Sequence, residues 1–256
     1  MHRLASKGFP LARYETLRPN KDFMKLRLFI TIVAASAILG TMSVSSGASS
    51  APNPHAQMTA VFADANAEQT FRYTLTLSAA GKRLVNVTDA THLGGRQTIT
   101  LTASGKSDTV VIELIAGNVY LRGDAAILTA YMGYPRATAK QLANKWVEIP
   151  NSSPEFASVS SGITIASTLA EVTMTQSVTS HSAVTLDGAM VEVLKGTSVK
   201  SAQNPAAKET LYFSAANRPL PVEVTQTYQG SLATIVFSHW NETVLLVTPK
   251  TVLEQK

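Results

Sequence analysis

The chain from Thr70 onward opens with a series of predicted strands, because its apolar residues recur at every second position. In the first segment the apolar residues are Phe71, Tyr73, Leu75 and Leu77, with polar residues between them. This alternation is typical of a strand with one buried face. Short Gly-containing turns follow it, and strands joined by such turns pair as antiparallel neighbours. The first predicted strands are 70–78, 84–88, 99–103, 108–116 and 119–122.

The middle of the chain changes to a helical period. Asp124 is a good N-cap for a short amphipathic helix that stops at residues 133–135 and then resumes. A brief extended piece, residues 146–150, precedes a weaker helical region that is rich in Ser and interrupted by Gly162. One more short helix is predicted ahead of the first strand. The predicted helices are 58–69, 125–132, 138–144 and 156–169.

The last third of the chain returns to strands, with Asp187-Gly188 as a typical hairpin turn. The predicted strands here are 172–178, 183–186, 189–194, 210–216, 221–229, 232–240 and 244–247. An order of strands, helical insert and strands predicts an α+β domain. In that domain one antiparallel sheet carries helices across one face.

The N-terminal segment has the three parts of a secretory signal. Lys25 and Arg27 form a basic region, residues 28–39 are apolar, and Ser46 and Ala48 suit cleavage after Ala48. We therefore expect export, with translation starting at Met24. The competing interpretation is an uncleaved anchor, because residues 28–44 carry no charge and approach the length of a membrane span. The predicted organisation is a leader (1–48), a flexible linker (49–57) and a single domain (58–256).

The basic charge of the protein lies in this leader. The formal net charge is +5, and the seven basic and two acidic residues before Leu28 account for all of it. The remainder is balanced, with no clusters of basic and aromatic residues, so nucleic acid is not a predicted partner. The near-neutral domain instead favours an apolar ligand.

The residues needed for catalysis or metal binding are missing or scattered. There is no cysteine, which excludes disulfides, thiolate metal sites, cysteine nucleophiles and cysteine lipidation. His92, His181 and His239 are far apart, Glu113 is interpreted as an edge or solvent-facing residue, and Gly94-Gly95-Arg96 is interpreted as a loop rather than a phosphate site. We therefore predict no enzyme activity, no metal and no cofactor.

The predicted helices carry large apolar side chains over an apolar sheet face. Helices placed in this way either close into a solid core or leave an apolar cavity. Periodicity alone leaves both alternatives open.

Several segments resemble the actinobacterial LppX/LprG type of envelope protein, in the wider LolA-like superfamily. The most specific are Val119-Tyr120-Leu121-Arg122-Gly123-Asp124 and Lys145-Trp146-Val147-Glu148-Ile149-Pro150. Further similar segments are 188–196, 210–213 and 220–224, and the resemblance runs in order through most of the chain after Thr70.

The resemblance implies a half-barrel, in which a strongly curved antiparallel sheet carries helices on its concave face. Between the two layers it implies an apolar cavity that holds acyl chains of envelope lipids. We therefore expect an exported, non-enzymatic protein that binds or carries a lipid or other hydrophobic ligand in the cell envelope or outside the cell. The predicted cavity-lining residues are Ile127, Leu128, Tyr131, Leu142, Ile163 and Leu169.

The missing cysteine is a departure from this family, whose typical members are acylated on an N-terminal cysteine. We expect contact with the membrane only transiently or through an uncleaved leader. The alternative function is a protein–protein interaction module of the same fold, with a closed cavity and envelope proteins as partners.

Overall fold

One continuous sheet organises the protein in the computed structural model, which describes residues 53–79, 81–130, 132–198, 206–228 and 231–254. The predicted leader lies outside these residues. In the described part of the chain the sheet has twelve strands. The strands are β1 (Thr70–Ala79), β2 (Lys82–Thr91), β3 (Gly95–Ala103), β4 (Lys106–Ile115), β5 (Asn118–Gly123), β6 (Trp146–Ile149), β7 (Gln176–Leu186), β8 (Ala189–Thr197), β9 (Lys208–Ser214), β10 (Pro221–Tyr228), β11 (Ser231–Ser238) and β12 (Val252–Glu254).

Two runs of neighbouring strands meet in the centre of the sheet. The strand order is β12-β6-β5-β4-β3-β2-β1-β11-β10-β9-β8-β7, so β1 pairs with β11 and joins the two runs. The strand pairs are antiparallel apart from β12 with β6, which is parallel. The sheet is curved and does not close, which confirms the predicted half-barrel of α+β class.

Five helices are present in the described residues, and they lie against the concave face of the sheet. They are α1 (Pro54–Asn66), α2 (Ala125–Ala130), α3 (Arg136–Leu142), α4 (Phe156–Ser160) and α5 (Ile165–Glu171). α1 contacts β7 and β10, α2 contacts β4, α4 contacts β5, and α5 contacts β2. None of these helices has the length and apolarity needed to span a bilayer.

Side-chain capping explains where three of the five described helices begin, while α3 and α4 begin without a side-chain cap. The Asn53 side chain accepts a hydrogen bond from the His55 N–H at 2.9 Å, and Pro54 occupies the first turn of α1. Asp124 Oδ1 accepts from the Ile127 N–H at 2.9 Å, which confirms Asp124 as the N-cap of α2. Thr164 and Ser167 form a reciprocal capping box at the start of α5.

The strand register places the core on the concave side. Tyr73 pairs with Phe237 on β11 and with Thr88 on β2, and Leu77 pairs with Ala233 and Leu84. Directly paired residues share a face, so the alternating buried positions of neighbouring strands form one layer. That layer and the inner sides of the helices make a single apolar core.

The pair Gly94-Gly95 allows neighbouring backbone to approach closely at the start of β3. A Cβ on Gly95 would lie 2.5 Å from the carbonyl oxygen of Asp89 and 2.6 Å from that of Ile163. A Cβ on Gly94 would overlap the carbonyl oxygen of Leu114 on β4, so the neighbouring strand requires glycine there, and Leu246 of the C-terminal segment lies 3.7 Å from the same position. The loop interpretation was therefore wrong for Gly95 and Arg96, which lie in β3, and Gly95 lies beneath the connection between α4 and α5.

Some predicted boundaries differ from the structure. The helix predicted to begin at Met58 begins at Pro54, because proline and the Asn53 cap favour a helix start. The predicted strands 172–178 and 183–186 are one strand, β7, whose polar middle pairs with β8 through two register irregularities. The predicted division of the chain into leader, linker and domain remains a prediction.

The strand predicted at 244–247 was also wrong. The C-terminal segment leaves β11 with the Asn241 N–H donating to the Thr70 carbonyl oxygen at 2.9 Å. It then crosses past Gly94 and reaches β6, where β12 pairs in parallel. Leu245 and Val247 are exposed in this segment, so their apolar pattern does not come from a buried strand.

Replacing Asp124 with alanine should destabilise the protein by about 1–2 kcal/mol. The change removes the cap of α2 and the acceptor of the Thr109 N–H, which lies 3.1 Å from Asp124 Oδ2. Asp124→Asn should retain most of the stability, because asparagine is also a strong N-cap. Urea denaturation would measure both variants, and equal losses would contradict a capping role.

Candidate functional site

The predicted cavity-lining residues occupy both helical regions above the sheet. Ile127, Leu128, Ile163 and Leu169 are buried in one apolar cluster with the sheet, and Leu142 is partly buried against it. Tyr131 lies outside the described residues. That these side chains line a ligand cavity remains a prediction.

The two helical regions contact different parts of the sheet. Ile127 of α2 lies over β4 and β5, where a Cβ on Gly123 would be 3.0 Å from Ile127 Cγ2 and 3.2 Å from Val110. Ile163 lies over β3, where a Cβ on Gly95 would be 3.1 Å from its Cγ2. The helical cover therefore spans several strands, and glycines in β3 and β5 permit its close approach.

A group of buried polar residues lies in this otherwise apolar layer, and the Tyr73 hydroxyl is at its centre. Tyr73 accepts hydrogen bonds from Asn86 Nδ2 at 3.2 Å and Gln97 Nε2 at 3.3 Å. The Thr88 hydroxyl donates to Asn86 Oδ1 at 3.1 Å and accepts from Gln97 Nε2 at 3.2 Å. We call Tyr73, Asn86, Thr88 and Gln97 the polar cluster.

The polar cluster is bonded to the connection between α4 and α5. The Tyr73 hydroxyl donates to the carbonyl oxygen of Gly162 at 2.9 Å, and the Thr168 hydroxyl donates to the same oxygen at 3.2 Å. Gly162 has a φ of +69°, a conformation that favours glycine. Burial, followed by the nearby charge of Glu171, raises the pKa of Tyr73 above its ordinary value. Tyr73 therefore remains protonated and acts as a donor to this turn.

Glu171, the last residue of α5, brings a carboxyl group to the edge of the polar cluster. The residue as a whole is partly exposed, but its carboxyl group is enclosed, and burial raises its pKa to about 8. Among the described residues Oε1 has no hydrogen-bond partner. A Cβ on Gly162 would lie 2.5 Å from this oxygen and 3.4 Å from the Tyr73 hydroxyl. The Glu171 carboxyl group and the Tyr73 hydroxyl therefore both lie beside Gly162.

A second buried carboxyl group lies on the neighbouring strands. Gln226 Nε2 donates to Glu209 Oε1 at 3.0 Å and to the backbone carbonyl of Glu171 at 3.3 Å. Glu209 Oε2 has no partner in the described part of the chain. Burial raises the pKa of Glu209 to about 7, although hydrogen bonds from Gln226 and Ser198 oppose the rise.

These polar residues were missed at the sequence level, although a signal was present. Asn86, Thr88 and Gln97 occupy the same alternating positions as buried apolar residues of β2 and β3. A polar residue at such a position needs a hydrogen-bond partner or a role in binding. The burial of Glu171 had no comparable signal, because α5 is too short to show a clear period.

Glu113 lies on the outer face of the sheet and belongs to a different environment. It sits in the interior strand β4, opposite Arg96 on β3, with 3.5 Å between Arg96 Nε and Glu113 Oε1. Burial raises the pKa of Glu113, and the charge of Arg96 partly opposes this. The interpretation of Glu113 as an edge or solvent-facing residue was therefore wrong. Its strand lies between β3 and β5, and neighbouring side chains bury the residue.

An outer cleft of about 130 Å³ lies beneath the C-terminal segment. Arg72 and Asp89 contribute to its wall and form a two-bond pair at 2.6 and 3.0 Å. The remaining lining residues are Phe71, Arg96, His239, Glu242, Thr243, Val244 and Leu245. Its charges are largely balanced, so it lacks the apolar character of the layer beneath the helices.

Comparisons with known proteins relate this architecture to solved structures. The chain is similar to the lipoprotein LppX of Mycobacterium tuberculosis, with 12% identity and a TM-score of 0.50 over 77% of this chain and 99% of that one. It is also similar to LprF from Mycobacterium bovis, with 10% identity and a TM-score of 0.50 over 77% and 96% of the two chains. No protein-family model and no curated protein sequence matches the chain. These likenesses confirm the LppX-type fold.

Stability should fall as pH rises from mildly acidic to mildly basic. The raised pKa values of Glu171 and Glu209 mean that the folded protein holds protons that the unfolded chain releases above about pH 4.5. Because one pKa unit corresponds to about 1.4 kcal/mol, we expect a loss of roughly 5 kcal/mol between about pH 5.5 and 8. Urea denaturation across this range would measure it.

Glu171→Gln should flatten this pH dependence, because the amide does not ionise. The exposed residue Glu155 offers a matched control, and Glu155→Gln should keep the wild-type slope. Parallel slopes for the wild type and Glu171→Gln would contradict the burial of the Glu171 carboxyl group.

Tyr73→Phe should cost about 2 kcal/mol of stability. The change leaves the Gly162 carbonyl with fewer donors and the two amides of the polar cluster without a shared acceptor. Tyr120→Phe, buried on the outer face opposite Glu113, should cost less. Thermal unfolding would compare them, and equal losses would contradict a special role for Tyr73.

Proposed function

We propose that this protein binds a lipid or other hydrophobic ligand between its helices and the concave face of its sheet. It acts as an exported, non-enzymatic carrier in the cell envelope. The observation that supports this best is the apolar layer formed by the sheet together with two separate helical regions. An acyl chain requires apolar area more than fixed polar partners, and each buried CH₂ contributes about 0.8 kcal/mol.

The short helices provide a route for the ligand. α2, α3, α4 and α5 have only five to seven residues each. Helices of this length depend on tertiary packing for their stability. They can therefore separate from the sheet at a lower cost than the paired strands can separate from one another, and a ligand enters between the two layers.

The LppX-type fold adds support, while the mode of attachment differs. LppX is a lipoprotein, whereas this chain has no cysteine that an acyl group could modify. We propose that the protein is released by cleavage of its leader or held by the uncleaved leader. Its contact with the membrane is otherwise transient.

A second candidate function, an interaction module, is favoured by exposed apolar residues at one end of the sheet. Leu93 and Leu245 are 87% and 80% exposed and flank the contact between Gly94 and Leu246. Exposed apolar side chains that lie together are typical of interaction surfaces. In this alternative the interior is a closed core and an envelope protein binds the exposed end.

Ligand binding can be tested by native mass spectrometry of the purified protein and by uptake of a fluorescent fatty acid. We expect a co-purifying lipid and saturable uptake. Leu128→Trp should weaken uptake about tenfold, because the added ring displaces roughly two methylene groups of the ligand. Leu93→Trp is the matched control, since Leu93 is exposed, and it should bind normally.

Absence of both lipid and uptake in a folded wild-type protein would contradict the carrier function. In that case, loss of envelope-protein binding in a Leu93→Asp and Leu245→Asp double variant would support the interaction module.

A further inference from the structure

The hydrogen-bonding capacity of the polar cluster is almost fully used within the protein. The Tyr73 hydroxyl has one proton, which it donates to Gly162, and it accepts from two amides. Thr88 both donates and accepts within the cluster. A ligand therefore gains no new partner from the Tyr73 hydroxyl unless it breaks an existing bond.

The carboxyl group of Glu171 is different, because one of its oxygens is enclosed and has no partner among the described residues. It borders the same point as the Tyr73 hydroxyl beside Gly162. An enclosed polar atom without a partner is costly, and such groups are uncommon in folded proteins. Glu209, reached through Gln226, presents a second oxygen of this kind.

The surroundings of this point offer no buried cation, among the described residues, that could pair with an anion. The polar and charged residues that are buried in the described part of the chain include Glu209 but no lysine or arginine. Burial is the cause of the raised pKa of Glu171, as expected for a carboxyl group without a nearby cation. A phosphate or carboxylate placed beside Glu171 and Glu209 would have no opposite charge to pair with.

We propose that the ligand of this interior is an amphiphile whose polar group donates hydrogen bonds and carries no negative charge, and that Glu171 receives this group. The inference rests on the proposed function and deepens it. The acyl chain occupies the apolar layer, and the hydroxyl or amino group lies beside Gly162. Hydrogen bonds from Tyr73 and Thr168 to the Gly162 carbonyl hold the α4–α5 connection over this point, so the connection has to move before the polar group can enter.

The test compares four ligands that share one hydrocarbon chain: hexadecanol, hexadecylamine, hexadecyl methyl ether and hexadecanoate. Each displaces a bound fluorescent acyl probe from the full-length protein at neutral pH. The alcohol and the amine should bind about tenfold more tightly than the ether, which lacks a donor, and more tightly than the carboxylate. The alcohol and amine arms distinguish a hydrogen bond from an ion pair.

Variants then assign the preference to Glu171. Glu171→Leu should reduce the ratio of alcohol to ether affinity to about one, while the ether still binds. Glu155→Leu, an exposed control next to α4, should keep the wild-type ratio. Glu171→Gln preserves the shape of the side chain and should lose any advantage of the amine over the alcohol, which keeps the test decisive if the leucine variant does not fold.

The outcomes separate this inference from the proposed function. If none of the four compounds binds, the proposed function fails and this inference fails with it. If all four bind with equal affinity, or if hexadecanoate binds best, the carrier function stands and the inference is overturned. An unchanged alcohol preference in folded Glu171→Leu would also overturn the role of Glu171.

Discussion

The pairing of β1 with β11 is the constraint on which the rest of the structure depends. It joins the strands before the helical insert to those after it, so that a single curved sheet forms. Its register sets Tyr73 beside Phe237 and thereby places the inward residues of both runs in one layer. The helices need only cover this layer, which explains why one helix of 13 residues and four of five to seven residues suffice.

The polar cluster gives this layer a defined point of contact with its cover. An apolar interface alone would hold the α4–α5 connection through buried apolar surface. Because the hydrophobic effect is not directional, such an interface does not fix the connection in one position. The bond from Tyr73 to the Gly162 carbonyl is directional, and Asn86 and Gln97 orient the hydroxyl that makes it. Glu171 is brought to the same point by α5. The arrangement places the unpartnered Glu171 oxygen inside a largely apolar interior. Its effect on stability there depends on whether a hydrogen-bond donor lies beside it.

Local pattern was a good guide where neighbouring residues decide the outcome. The strand at Thr70, the Asp124 cap and the interruption at Gly162 depend on period, side-chain capping and glycine, all readable over a few residues. The prediction of a strand at 244–247 was wrong because this segment crosses the ends of other strands instead of pairing with one. A local apolar pattern does not indicate such a crossing. The polar positions of β2 and β3 were visible in the alternation, but their partners were not.

The sequence by itself therefore determined the α+β order, the antiparallel pairing of adjacent strands, the starts of α2 and α4, and the absence of any cysteine to acylate. Only the tertiary structure decided which polar groups are enclosed together. Tyr73 and Gly162 are separated by 89 positions in the chain, and their contact requires the sheet to form and α5 to pack on it. Burial is a property of that assembled environment, so the raised pKa of Glu171 and its unpartnered oxygen arise only when distant segments exclude water from the same point.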